Sequence, residues 1–216
     1  MRVRWGLWAL AALVGIGAGI GLIVFRSSSP TRAASSGPPI DGPAATWAAG
    51  VRPAPAFRLV DQNGQPVSLA GQRGRPVLVT FIDPLCRNLC PIEAQRLDTA
   101  VRSLPAAMRP AILAVSVNVY GNARANLVQD VSHWRLVPEW RWAVGSAPQL
   151  GRVWKSYGIG VSVATKTIAG VTVHNITHTE AAYLVDGSGD ERALFVWPFT
   201  AADVEHSLRQ LAAARS

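Results

Sequence analysis

"PVLVTFIDPLCRNLCPIEAQRLDTAVRSL", residues 76–104, decides the fold. Its first seven residues, Pro76 to Ile82, are a continuous β-branched and aliphatic run, the composition of a central strand covered on both faces. Cys86 and Cys90, the only cysteines among 216 residues, come at the carboxyl end of that strand. Pro91 suits the first position of a helix, where no amide bond is lost. Ile92, Ala94, Leu97, Val101 and Leu104 then recur near helical spacing. "PAILAVSVNV" (110–119) is the next buried strand, so the unit is strand, helix, strand, with a right-handed crossover over a parallel sheet.

Upstream, "FRLVDQNGQPVSL" alternates around Asn63-Gly64 and predicts a β-hairpin. Downstream, 123–134 reads as a helix, 140–144 as a short strand, and 147–158 as a helix stopped by Gly158. "AAYLVDGSGDERALFVW" (181–197) predicts a hairpin, and Thr200 caps a closing amphipathic helix. This order describes an α/β domain with a mixed central sheet flanked by helices, over residues 51–216.

The N-terminus is of another kind. Residues 5–25 form an uncharged apolar run after Arg2 and Arg4, and Arg26 closes it. Roughly 20 apolar residues cross a bilayer, and the arginines favour leaving the short end inside. Residues 1–26 therefore read as a single-pass anchor with a cytoplasmic N-terminus and an extracytoplasmic domain. A cleavable signal is the rival, with Thr31-Arg32-Ala33 resembling its cleavage site, but the run exceeds the ~7 to 15 apolar residues of such a segment. Residues 27–50, rich in Ser, Pro, Gly and Ala, read as a flexible tether. The net charge of +8 is spread over single arginines without a basic run, which argues against nucleic acid and for a basic solvated surface facing anionic lipid or an acidic partner.

Export makes the lone cysteine pair informative, because outside the cytosol free thiols need protection by a reductant or a metal. The helix N-terminus carries roughly half a positive charge and favours thiolate, which is both nucleophile and metal ligand. Residues four apart in a helical turn lie about 6 Å apart, compatible with a disulfide or with two sulfurs on one soft cation. A purely structural staple closes so short a loop that it removes little chain entropy. A metal needs a further ligand, for which there are four histidines. His133 and His206 fall on amphipathic helices and read as surface residues. His174 and His178 lie in "VTVHNITH", whose β-branched residues argue against a helical zinc pair.

The ordered set of motifs resembles the Sco/SenC family: the D-x-x-G-x-x-x-S-L opening at Asp61–Leu69, "VLVTF", C-x-x-x-C-P at Cys86–Pro91, "VSV" at 115–117, and "HTEAAYLVDGSGD" from His178. The resemblance implies a thioredoxin-like fold and a membrane-anchored copper metallochaperone for cytochrome c oxidase assembly. Cys86, Cys90 and His178 map onto its ligands for Cu(I) or Cu(II), and a copper-site oxidase subunit onto its partner. Thiolates suit Cu(I), and an added imidazole accommodates Cu(II). Where the family commonly has Pro and Asp between the cysteines, this chain has Arg87 and Asn88, and Asn118 replaces an aspartate. The alternative is an extracytoplasmic thiol-disulfide oxidoreductase in which Cys86 and Cys90 act as a redox pair on a thiol client. A peroxidase is a third reading, but peroxiredoxins carry Thr or Ser where this chain has Asp83.

Overall fold

The computed structural model describes residues 42–214. The anchor expected over 1–26 and the first part of the expected tether, 27–41, lie outside the described residues. Among those described, no helix is long and apolar enough to cross a membrane.

Among the described residues, ten strands and four α-helices follow one another as β1 (Ala45–Thr46), β2 (Arg58–Val60), β3 (Pro66–Ser68), β4 (Val77–Ile82), α1 (Leu89–Arg102), β5 (Ala111–Ser116), α2 (Arg124–His133), β6 (Trp140–Ala143), α3 (Ala147–Ser156), β7 (Val161–Ile168), β8 (Val171–His178), β9 (Ala181–Val185), β10 (Glu191–Val196) and α4 (Ala201–Ala213). The main sheet runs β1-β10-β9-β4-β5-β6. Strands β4, β5 and β6 are parallel, and β9 lies antiparallel to β4, so the sheet is mixed as expected.

Every residue of β4 and β5 is buried, because both faces are covered. Leu78 and Ile82 point to one side with Leu97 and Val101 of α1 and Leu208 of α4. Val79 and Phe81 point to the other with Leu150 and Val153 of α3 and Leu59 and Val67 of the β2–β3 hairpin. The two-residue alternation of a strand thus feeds two cores at once.

The predicted turns form as read. Asp61 Oδ1 accepts from the amides of Asn63 and Gln65 at 2.8 and 2.9 Å, and Gly64 takes the left-handed φ of 76° that the β2–β3 turn requires. Gly158 ends α3 at φ 68°. Thr200 caps α4, its hydroxyl accepting from Asp203 N while the Asp203 carboxylate accepts from Thr200 N.

Three features differ from the reading of the sequence. Helix α1 begins at Leu89, with Asn88 accepting from Leu89 N at 2.7 Å, so Pro91 sits inside the first turn and Cys90 belongs to the helix. Its inward face is Cys90, Glu93, Ala94 and Leu97, whereas Ile92 is exposed. Residues 42–50, the described end of the expected tether, are tied to the sheet and to α4: β1 pairs with β10, and Gly42 N donates to Asp203 of α4 at 2.8 Å. Finally, β7 and β8 form an exposed two-stranded ribbon of their own, turning at Ala169-Gly170 with φ of 49° and 80°. The sequence reading had no strand at 161–168. The two β-branched runs flanking Ala-Gly were the available signal.

Candidate functional site

Beyond the end of β4 the chain makes a tight turn, with Asp83 Oδ1 accepting from Leu85 N at 2.7 Å and Asp83 O from Cys86 N at 3.1 Å. This places the Cys86 sulfur at the first turn of α1, where it accepts from Cys90 N at 3.3 Å. Both cysteines are free thiols; Cys86 is half-buried, and Cys90, at 1% exposure, belongs to the core beneath α1. The pair is therefore asymmetric before any chemistry begins.

The asymmetry extends to the protons. The Cys90 thiol donates to Cys86, and with the amides of Cys90, Asn88 and Leu89 it outweighs burial and brings the Cys86 pKa down to about 5. The contact of Cys86 Sγ with Asn88 Oδ1 at 3.0 Å works the other way, since only a protonated sulfur donates to that oxygen. Four donors against one acceptor leave the thiolate favoured near neutrality. Cys90 is pushed far up, because its proton is held by the Cys86 sulfur and its own thiolate would be buried beside a second negative charge.

Arg87 does not face the sulfurs. Its Nη1 donates to Pro84 O and Cys86 O, both at 3.0 Å, and to Asp130 Oδ1 of α2 at 3.2 Å. The Arg87 cation thus clamps the turn onto α2 instead of entering the site. Asn118 has a similar role, donating from Nδ2 to Asp83 Oδ1 at 2.9 Å.

A cavity of about 340 Å³ opens above the pair, lined among others by Cys86, Cys90, Asn118, His174, His178 and Glu180. His178 is the last residue of β8, and its Nδ1 lies 3.0 Å from Thr179 O. As a donor there, Nδ1 leaves Nε2 with its lone pair free. The structure thus brings His178 to the same cavity as the two sulfurs. Among the described residues, however, no three His, Cys, Asp or Glu side chains are gathered closely enough to hold a metal ion. His133 and His206 are exposed, as the sequence suggested.

Two carboxylates that the sequence reading passed over complete the site. Glu93 is fully buried; burial, and after it the charges of Glu180 and Cys86, outweigh the bond from Thr80 Oγ1 (2.6 Å) and raise its pKa to about 8. Among the described residues, its Oε2 has no hydrogen-bond partner. Glu180, in the cavity wall, is raised to about 7 by burial and then by the Cys86 charge. Glu93 was legible as the residue three after Cys90, on the inward side of the same helix. Glu180 shows no comparable signal.

A family model described as SCO1/SenC matches residues 48–213. Among solved structures, Bradyrhizobium japonicum ScoI with copper bound is 21% identical, covering 73% of this chain and 98% of its own, at a TM-score of 0.64. Yeast Sco1 with copper bound is 16% identical, covering 76% and 90%, at 0.66. The thioredoxin domain of a thiol-disulfide oxidoreductase from Bacteroides vulgatus is 20% identical, covering 77% and 96%, at 0.54. These likenesses establish a thioredoxin-like fold. No curated protein matches the chain in sequence.

Proposed function

Because this chain belongs to the SCO1/SenC family, we propose that it is a copper metallochaperone that takes its cargo into the cavity between Cys86, Cys90 and His178. The observation that carries the reading is the donor set: two sulfurs at a helix N-terminus, one of them already favoured as thiolate, share a cavity with an imidazole whose Nε2 is free. Soft thiolates match Cu(I), and the imidazole adds a donor that Cu(II) also accepts. Closure of the third ligand requires β8 to bring His178 toward the sulfurs, and a half-exposed Cys86 leaves one side open for ligand exchange with a recipient. The copper-bound ScoI and Sco1 relatives support the choice of metal.

The recipient in this reading is the copper-site subunit of cytochrome c oxidase, reached from the extracytoplasmic face of a membrane to which residues 1–26 anchor the chain. The test is an anaerobic Cu(I) titration of the reduced full chain against a chelator of moderate affinity, beside His178→Ala. One-to-one retention that weakens in the variant is the expected result. Failure of the unmodified chain to compete would overturn it.

The cysteine asymmetry also favours a second reading, a thiol-disulfide oxidoreductase. The Cys86 thiolate attacks a client disulfide, forming a mixed disulfide and releasing one client thiolate. Cys90 then loses its proton and attacks Cys86 Sγ, so that a Cys86–Cys90 disulfide forms and the second client thiol leaves. Two electrons pass to the client. This route needs no imidazole, so His178→Ala leaves client reduction intact if redox exchange is the main role.

A further inference from the structure

Among the described residues, no strand pairs with the outer edges of the β7–β8 ribbon, which is mostly exposed, and a two-stranded ribbon of that kind is marginal by itself. At its base, Thr179 N donates to Gly160 O at 2.9 Å, and Val161 and Ile176 pack against the core. Midway along β8 there is a lateral support: His174 lies flat on Tyr120, with ring centroids 3.6 Å apart and planes 6° from parallel. Thr165 Oγ1 sits 3.0 Å from His174 Nδ1 and fixes the plane of the imidazole.

Tyr120 is 52% exposed, so burial does not explain its placement. It is positioned from the cysteine side. Tyr120 N donates to Asn118 Oδ1 at 3.0 Å, Asn118 Nδ2 donates to Asp83 Oδ1, and Asp83 O accepts from Cys86 N. A continuous series of contacts therefore runs from the cysteine turn through Tyr120 to β8. His174, Ile176 and His178 share one face of that strand by its two-residue repeat, and all three are half-buried.

We propose that Tyr120 is a positioning residue: stacked on His174, it holds β8 over the cysteine pair and so sets where the His178 imidazole meets the sulfurs. The inference rests on the copper reading of the cavity. An aromatic pair of this kind corresponds to a factor of about 2 to 10 in an equilibrium. Because the ring is exposed, its removal acts on the ribbon and leaves the core alone.

The experiment compares the full chain with Tyr120→Phe, Tyr120→Ala, His178→Ala and the Tyr120→Ala/His178→Ala double variant. Amide hydrogen exchange over residues 171–178 is followed in the metal-free protein, and Cu(I) affinity is measured by chelator competition. Tyr120→Ala is expected to exchange about 2- to 10-fold faster there and to lose Cu(I) affinity by a similar factor. Tyr120→Phe should match the unmodified chain in both. Tyr120→Ala should add nothing once His178 is gone, because its effect passes through that imidazole. Unchanged exchange in Tyr120→Ala, or a Cu(I) loss that persists in full on the His178→Ala background, overturns the proposal. If the unmodified chain retains no Cu(I), the copper reading falls, and exchange alone still decides whether Tyr120 holds β8.

Discussion

The two sides of the cavity are built by opposite means. The sulfurs sit on a turn sealed between β4 and α1, with Cys90 in the core and Arg87, Asp83 and Asn118 tying the turn down. The imidazole sits on a ribbon with free edges, supported at its base and by one ring stack. The proposed copper site is divided accordingly: the sulfurs are held by the buried turn, and the imidazole is carried by the exposed ribbon. The difference also says where mutations hurt. Changes beneath the sulfurs act on folding, and changes on the ribbon act on the site.

The sharpest way to break this comparison is alkylation of the reduced, metal-free chain. Cys86 should react with a half-maximal rate near pH 5, while Cys90 stays unlabelled until the protein is unfolded; mass spectrometry of the labelled peptides reads both. Equal labelling of the two cysteines would remove the asymmetry on which the site rests.

Packing gives the next effect. Leu97→Ala, beneath the pair, should cost about 2 to 5 kcal/mol in urea unfolding.

Glu93 tests the electrostatics of the sealed side. Its folded pKa, about 8, lies above the ordinary glutamate value of 4.5, so the folded state binds the proton more tightly. Its stabilising contribution is full below about pH 4.5 and is lost as the pH rises through 8. Glu93→Gln removes that dependence. The variant should be more stable than the unmodified chain at pH 9, by an amount on the order of a few kcal/mol, with the gap closing toward pH 5. Urea midpoints at the two pH values check the sign.

The smallest effect belongs to the ribbon. Ile168→Ser, at an exposed position beside the turn, should change stability by less than about 0.5 kcal/mol, measured in the same urea experiment. A larger loss would mean that the ribbon is as much a part of the folded core as α1.

Much of this arrangement was legible in the chain. A seven-residue apolar run followed by cysteines and a helical repeat places the pair at the carboxyl end of a buried strand, because burial on both faces selects that run and a strand has no other way to satisfy it. Gly64, Gly158 and Thr200 were readable for the same local reason: their roles depend on a few neighbouring backbone groups. The ribbon was not. Its strands lack the apolar alternation of a covered sheet, and its turn uses Ala-Gly in place of the usual Asn-Gly. Ile92 misled because helical spacing alone does not say which of two adjacent stripes the sheet will cover.

By itself, then, the sequence determined the mixed sheet, the cysteine turn at a helix start and the ends of most elements, since each follows from hydrophobic period or turn chemistry within a dozen residues. Tertiary structure alone decided that Arg87 turns to Asp130, that Glu93 is buried under the pair, that residues 45–46 close the sheet edge, and that His174 rests on Tyr120. These contacts join segments that lie far apart in the chain, except for Glu93, whose burial depends on which face of α1 the distant strands cover. Their partners are selected by how the layers close, which no local period encodes.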